Sequence, residues 1–467
     1  MSSEKKNAAL TAGIGYTVGN ILIKGINILT LPLFSRLMTQ EEFGVFNVFM
    51  SYDAILFVVV GLALHTSIRS ANLHFRDQID SYTSSVTLIY LLMAALFALM
   101  VLLFGETIAQ LLGFGEKILY LLILFSTGSA LLTLYNTRIS LDYSYKKYLV
   151  VALCNSLGNV AVSLTLILTV FRTDRDFGRM LGATAVITLI ALCLLASLYR
   201  KARPRFNAAY WRFGLKFSLP IVPHGVSQVL LAQFDRIMIR NIVSDAAAGI
   251  YSLAANIKLI LTVITTSISA AWSTWFYEQM DRGDRDGIRR RATQLCSLFT
   301  ILTVGLLAIS PELIWILGGS DYALAKYVAI PMILDGFVLF LYDVIVTGEY
   351  YTKKTIYIML GTMAAAVLNI VLNYIFILKY GFIAAAYTTL VSYVCYLLLH
   401  AWISRRLVGF SIVPKRWLLI YSTITVIMAA ASLLLLHNLV LRWAICAAIV
   451  IPMAALLLRS VKRTEKT

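Results

Sequence analysis

The chain has 467 residues, of which 60% are hydrophobic and only 13% are charged, and its formal net charge is +17. Soluble domains contain about a quarter charged residues, so this composition excludes an ordinary soluble protein and indicates a chain dissolved in lipid. The positive charge does not indicate binding to RNA or DNA, because no basic stretch is long enough to fold as a binding module.

Long apolar runs, separated by charge clusters and by Gly or Pro, divide the chain into about 14 membrane spans. A helix needs about 20 apolar residues to cross the hydrocarbon, and lipid offers backbone amides no partner outside a helix. The predicted fold class is therefore an all-α, polytopic membrane protein with short connections. In chain order, the predicted spans are 10–34, 44–66, 81–104, 117–138, 149–171, 180–199, 215–241, 249–275, 292–317, 326–348, 354–377, 382–403, 417–436 and 440–458.

Lysine and arginine are distributed unequally between the two sets of loops. Of the 40 basic residues, 28 lie at the termini and in the loops on one side, and 10 lie on the other side, where Arg442 is one of them. The positive-inside rule places the basic side, and with it both termini, in the cytoplasm. There the excess of positive charge faces anionic lipid headgroups.

The chain contains an internal duplication with an offset of about 205 residues. Residues 39–46 match residues 244–251, and residues 134–147 match residues 341–354. Six spans separate the copies, so both halves cross the membrane in the same sense, which predicts a pseudo-twofold axis along the membrane normal. The predicted domains are two six-helix bundles and a pair of additional helices with a tail, at residues 1–203, 204–406 and 407–467.

Two lysines lie near the middle of predicted spans. Lys24 and Lys258 are too far from the helix ends to reach water, and a charge at that depth costs about 3 kcal/mol unless it faces a cavity or a partner. Polar residues at helical spacing share their faces. We predict a water-filled central cleft whose ammonium groups bind an anionic headgroup such as a diphosphate. The residues predicted to line it are Asn20, Lys24, Asn27, Asp53, His224, Gln228, Asp235, Arg236, Lys258 and Thr262.

The alternative interpretation of these residues is purely structural, as contacts between helices or as an internal ion pair. Asp53 occupies the repeat position equivalent to Lys258, so these two residues neutralise each other in one version of that alternative. Three further carboxylates in or near apolar segments are suited to relaying protons or binding a cation, and the sequence does not choose among Asp335, Asp343 and Glu349.

The sequence predicts a transporter that is not an enzyme and that carries no cofactor. It contains no phosphate-binding loop and no nucleophile with a matching base in a plausible loop. His65, His224 and His400 are predicted to be packing residues, and no metal site is expected because they show no ligand spacing. Coupling to a gradient of H⁺ or Na⁺, or to the membrane potential, remains open.

Three stretches carry a resemblance to a known family: residues 31–46, 235–254 and 368–386. They resemble the polysaccharide-transport (Wzx-type) flippases of the multidrug/oligosaccharidyl-lipid/polysaccharide superfamily. The resemblance implies two six-helix bundles around a cleft that opens alternately to each side, in a bacterial plasma membrane. The family's acidic-basic pair corresponds to Asp235 and Arg236, whereas Ala384 departs from the glycine more common in relatives.

The implied substrate is an undecaprenyl-diphosphate-linked oligosaccharide for capsule, O-antigen or another exopolysaccharide. The implied partners are this lipid-linked substrate, the membrane lipids, and a polysaccharide polymerase or other proteins of the pathway. Two alternatives lie in the same superfamily: a flippase for the peptidoglycan lipid precursor, and a multidrug/cation antiporter, which is expected to have an anionic cleft. A membrane-embedded polymerase or ligase is more distant, because the longest outward loop, residues 172–179, is short.

Overall fold

A computed structural model describes the backbone of residues 3–464. Side chains are described at residues 13, 15–16, 18–19, 22–26 and 28–462. Within this part of the chain, every regular element is helical, which confirms the predicted all-α fold class. The α-helices are α1 (Ser3–Leu37), α2 (Gln40–Gly61), α3 (Ser67–His74), α4 (Ile79–Leu112), α5 (Glu116–Ser140), α6 (Tyr145–Thr169), α7 (Arg175–Lys201), α8 (Ala208–Ser218), α9 (Val222–Ile242), α10 (Asp245–Arg282), α11 (Arg285–Gly318), α12 (Ala325–Tyr351), α13 (Thr355–Tyr380), α14 (Ile383–Val408), α15 (Lys415–Leu434) and α16 (Leu439–Thr464).

Among the described residues, 12 helices are long and apolar enough to cross a membrane. They coincide with 12 of the predicted spans. The first predicted span lies in α1, where several side chains fall outside the described set. The seventh, residues 215–241, was wrong as a continuous helix. It is divided into α8, a 3₁₀ turn at Leu219–Ile221 and α9, because Pro220 and Pro223 lack the N–H groups that a continuous helix needs.

The second predicted span, residues 44–66, also ends earlier than expected. Helix α2 stops at Gly61, because Leu62 and Ala63 adopt left-handed backbone with φ of 44° and 51°. A 3₁₀ turn and the short helix α3 follow. The hydroxyl of Ser67, at the start of α3, hydrogen-bonds to Tyr82 of α4 at 2.7 Å and fixes this irregular connection.

The chain divides into two compact units, Met1–Asn241 and Ile242–Thr467. In the first unit α2 packs on α5, α5 on α7 and α6 on α7. In the second unit α10 packs on α12, α12 on α14 and α13 on α14, which are the helices that correspond under the sequence repeat. Helix α8 packs on α3 and α4 and so belongs to the first unit. The bundle boundary at residue 203 and the pseudo-twofold axis stay predictions.

The repeat also shows in the local backbone at the start of α2 and α10. The Oγ1 atom of Thr39 accepts the N–H of Glu42 at 3.2 Å, and the Glu42 carboxylate accepts the N–H of Thr39 at 2.8 Å. At the equivalent position of the second copy, Ser244 Oγ accepts the N–H of Ala247 at 3.1 Å. Such caps satisfy amides that have no partner inside the helix. The two copies therefore begin this helix by the same device.

Helices α15 and α16, which have no counterpart in the repeat, pack against α11. Arg442, which the sequence assigned to the side opposite the cytoplasm, holds them there. Its buried guanidinium donates to the Ala308 carbonyl at 2.6 Å and to the Leu435 and Leu436 carbonyls at 3.0 and 3.1 Å, and it also bonds the Glu312 carboxylate. The Arg442 side chain thus supplies hydrogen-bond donors to the carbonyl groups at the end of α15 and joins that end to α11.

Candidate functional site

An ion pair joins α10 to α12 within the second unit. The ammonium Nζ of Lys258 lies 2.6 Å from Asp335 Oδ2. The Asp335 side chain is fully buried, whereas 16% of the Lys258 side chain remains exposed. Lys258 is thirteen residues inside α10, far from either helix end. The sequence-based expectation of a partner for this mid-span charge is met by Asp335.

The close approach of α10 and α12 at this ion pair depends on Gly336. A Cβ atom at that position would lie 3.0 Å from Leu261 Cδ1 and 3.3 Å from Lys258 Cγ, which is tighter than ordinary contact. The ring of Tyr393, from α14, lies 5.7 Å from the Lys258 ammonium and contributes a cation–π contact. Helices α10, α12 and α14 together hold this lysine in place.

The polar face of α10 continues beyond Lys258. Thr262 is half-buried, and its hydroxyl donates to the Lys258 carbonyl at 3.2 Å. Two turns further along α10, the Ser269 hydroxyl donates to the Asp343 carboxylate. Trp272 then donates its indole N–H to the Val344 carbonyl at 3.2 Å. The predicted face is therefore a series of polar contacts with α12, interrupted by hydroxyls that bond their own helix.

Asp53 lies in the first unit, between α2 and α5. It is buried, and Ser126 Oγ donates to its Oδ1 atom at 2.7 Å. Lys258 makes its ion pair with Asp335 inside the second unit. The alternative in which Asp53 and Lys258 neutralise each other stays a prediction.

The part of the predicted site on α1 is only partly described. Lys24 is half-buried. The side chains of Asn20 and Asn27 lie outside the described residues. The water-filled cleft, and the contribution of these three residues to it, stay predictions.

The predicted site residues on α9 lie in different surroundings. Gln228 is exposed, His224 is half-buried and Asp235 is buried. The guanidinium of Arg236 donates to the side chain of Gln233, one turn earlier in the same helix. Of the acidic-basic pair implied by the resemblance, Asp235 is therefore buried and Arg236 is half-buried.

One buried pair was not foreseen from the sequence. His400, predicted to be a packing residue, lies with Nδ1 2.8 Å from Glu349 Oε1, and both side chains are fully buried. The only sequence signal was the presence of a carboxylate in an apolar segment, since the partner lies 51 residues away.

This arrangement is suited to binding an anion. An ammonium group in a low-dielectric environment interacts strongly with anionic oxygen atoms. Asp335 offsets the charge of Lys258 and lowers the free-energy cost of placing it within a span. The Lys258 side chain is 16% exposed, whereas its partner Asp335 is fully buried.

The architecture defines a class of membrane protein. The chain is similar in structure to the lipid II flippase MurJ in an inward closed conformation, with a TM-score of 0.73 and 16% sequence identity. The similarity covers 96% of this chain and 99% of that one. The fold is therefore that of a multi-pass transporter of the multidrug/oligosaccharidyl-lipid/polysaccharide superfamily, as the sequence resemblance implied.

Sequence profiles identify the family within this class. The profile of the polysaccharide biosynthesis proteins matches residues 10–278, and that of the MatE family matches residues 220–375. The chain belongs to the polysaccharide biosynthesis protein family.

Two relatives have names that describe a function. The chain is 21% identical to the "Probable low-salt glycan biosynthesis flippase Agl15" of Haloferax volcanii, over 82% of this chain and 81% of the relative. It is 26% identical to the "Succinoglycan biosynthesis transport protein ExoT" of Rhizobium meliloti, over 64% of this chain and 60% of the relative.

Proposed function

We propose that this protein flips an undecaprenyl-diphosphate-linked oligosaccharide from the inner to the outer leaflet of a bacterial plasma membrane by alternating access. Its membership of the polysaccharide biosynthesis family supports this proposal, as does a relative named as a glycan biosynthesis flippase. The observation that carries it is the partly exposed side chain of Lys258 in the middle of a span. In the orientation predicted by the positive-inside rule, both termini lie in the cytoplasm.

The diphosphate headgroup binds by displacing Asp335 from Lys258. The exchange replaces one charge-assisted hydrogen bond with another, so the ammonium is never left without an anionic partner. The role of Lys24, predicted from the sequence to bind the same kind of headgroup, stays a prediction. The energy comes from an H⁺ or Na⁺ gradient or from the membrane potential, and a polysaccharide polymerase receives the product on the outer side.

The test is flipping of a fluorescent undecaprenyl-diphosphate oligosaccharide by the purified protein in liposomes. Lys258→Arg keeps part of the activity, Lys258→Ala loses most of it, and Lys258→Glu abolishes it because the carboxylate repels the headgroup. A charge-assisted hydrogen bond contributes about 1.5–3 kcal/mol, so Lys258→Ala weakens headgroup binding by roughly 10- to 150-fold.

Lys379→Ala is the matched control, because Lys379 is exposed at the end of α13. It retains wild-type flipping. The proposal is refuted if the double variant Lys24→Ala, Lys258→Ala flips the substrate normally at normal abundance.

A second candidate is a flippase for the peptidoglycan lipid precursor. The similarity in fold to MurJ favours it, because that similarity covers 96% of the chain and so includes the two additional C-terminal helices. The same liposomes discriminate between the candidates when lipid II and the lipid-linked oligosaccharide are supplied separately. Faster flipping of lipid II assigns the chain to the peptidoglycan pathway.

A further inference from the structure

The pair formed by Glu349 and His400 joins α12 to α14 in the last turn of α12. Both side chains are fully buried, and the distance from His400 Nδ1 to Glu349 Oε1 is 2.8 Å. The second carboxylate oxygen, Oε2, and the second ring nitrogen, Nε2, are also buried and have no hydrogen-bond partner among the described residues. The pair is therefore buried away from solvent, and each of its two outer atoms is chemically able to carry a proton.

The surroundings of the pair contribute phenols and small residues. The rings of Tyr342 and Tyr396 lie 5.2 and 4.6 Å from the His400 ring, each at 80° to it. Tyr396 donates its hydroxyl to Tyr342 at 2.6 Å, and it also bonds Thr362 of α13 at 2.8 Å.

Two more titratable groups lie on α12 close to the pair in sequence: Tyr350 follows Glu349, and Asp343 precedes it by six residues. From α13, Gly361 leaves room for the imidazole, since a Cβ there would lie 2.3 Å from His400 Nε2. None of these neighbours brings a positive charge that offsets an isolated Glu349 carboxylate.

The charge of the pair depends on the number of protons it carries. When one proton is added to an ionised carboxylate and a neutral imidazole, the pair is neutral overall, either as carboxylate and imidazolium or as carboxylic acid and imidazole. A second added proton leaves a net positive charge, and removal of the first leaves a net negative charge. Burying an uncompensated charge is strongly unfavourable, so only the neutral form is compatible with this packing.

We propose that Glu349 and His400 form a proton-binding site that holds α12 against α14 while the pair carries its single shared proton. Gain or loss of a proton leaves a buried charge and favours separation of the two helix ends. The following turn contains Lys353 and Lys354, so by the predicted orientation this end faces the cytoplasm and the site responds to cytoplasmic pH. The inference depends on the packing of α12, α13 and α14 and is independent of the substrate.

The proposal predicts opposite pH dependences for two single variants. In Glu349→Gln, the folded protein keeps the buried His400 neutral, whereas the unfolded chain gains a proton as pH falls. Its melting temperature therefore drops towards acidic pH. In His400→Gln, the folded protein keeps Glu349 protonated, whereas the unfolded chain releases a proton as pH rises. Its melting temperature drops towards alkaline pH.

The measurement is the melting temperature of the full chain in nanodiscs, from about pH 5 to about pH 8. The double variant Glu349→Gln, His400→Gln is the reference, because it keeps two groups able to hydrogen-bond and neither of them titrates. Relative to this reference, each single variant loses about 2 °C or more over two pH units, in opposite directions. His437→Gln, at an exposed histidine outside this bundle, has the wild-type profile.

A second measurement locates the effect. Hydrogen exchange in residues 342–351 and 396–404 rises under the same conditions that lower the melting temperature of each single variant, and exchange elsewhere in the chain does not. Profiles of the two single variants that run parallel to the wild type and to His437→Gln would overturn the proposal. If the single variants do not fold, the wild type and the double variant decide. An equal pH dependence of exchange in these two segments then refutes the proton site, and a flat response of the double variant supports it.

Discussion

Replacement of Asp335 by Asn tests whether the ion pair with Lys258 is needed for stability, for transport or for both. The substitution keeps the size of the side chain and removes its negative charge. The ammonium group, at present 2.6 Å from the carboxylate, is then left in the span with no ionic partner from that position. Removing one member of a buried ion pair costs about 3–5 kcal/mol.

The expected cost for Asp335→Asn is near the lower end of this range, about 3 kcal/mol. Lys258 retains 16% exposure of its side chain and a cation–π contact with Tyr393, and the Asn carbonyl can still accept a hydrogen bond. We expect lower abundance in the membrane and a lower melting temperature than in the wild type. Glu278→Gln, which changes an exposed carboxylate in α10, is the matched control and changes neither quantity.

A double variant separates stability from transport. Lys258→Met with Asp335→Leu replaces the ion pair by apolar side chains of similar length, and such replacements are often neutral or stabilising. Its abundance and melting temperature therefore return to wild-type values, while flipping per molecule stays low because the headgroup has lost its cation.

The three quantities are measured together, by immunoblot of membranes, by thermal melting in detergent, and by flipping in liposomes corrected for the amount of protein. Wild-type flipping by the apolar double variant would show that Lys258 serves packing alone. A wild-type melting temperature for Asp335→Asn would show that the ion pair does not stabilise the α10–α12 interface.

Four further predictions concern other parts of the chain. Arg442→Met leaves buried carbonyls and a carboxylate without their donor, so it lowers stability by about 3 kcal/mol or more, and protease cuts between α15 and α16 before the rest of the chain. Gly361→Ala places a methyl group 2.3 Å from His400 Nε2 and lowers the melting temperature, whereas Gly305→Ala, whose Cβ would meet no atom within 4 Å, does not. Thr39→Ala removes the cap of α2 and costs about 1 kcal/mol, measured by chemical denaturation in detergent. A reporter fused after Lys466 is active only in a cytoplasmic assay, and activity outside the cell would refute the orientation.

The membrane spans were predictable because their determinants are local. Each requires only a run of apolar residues of sufficient length, and lipid leaves the backbone no alternative to a helix. The two corrections also have local causes that the apolar pattern concealed. Leu62 and Ala63 adopt left-handed backbone at the end of α2, and Pro220 and Pro223 divide the seventh predicted span.

Side-chain partners were not predictable, because they depend on which helices become neighbours. Lys258 and Asp335 are separated by 77 residues, and Arg442 and Glu312 by 130. The repeat related Asp53 to Lys258 by position in the sequence, which carries no information on which helices become neighbours. Each copy instead forms its own contacts between the corresponding helices.

The two copies use the same interface for opposite charges. Between α2 and α5 the repeat position holds Asp53, which accepts a hydrogen bond from Ser126 at 2.7 Å. Between α10 and α12 the same position holds Lys258, bonded to Asp335 at 2.6 Å. Under the proposed function the ammonium of Lys258 attracts an anionic headgroup, and the first copy offers no cation at the equivalent position.

Lys24, the second cation of the predicted site, also has no counterpart in the other copy. Lys24 lies on the first helix of its copy, whereas Lys258 lies on the second helix of the other copy, and Val229 occupies the position in the second copy that corresponds to Lys24 at the offset of 205 residues. The two lysines therefore lie at positions that the sequence repeat does not relate. The substrate of the proposed function, a diphosphate joined to a sugar at one end and to a lipid at the other, has no twofold symmetry either. The proposed function therefore does not require the two cations to follow the repeat.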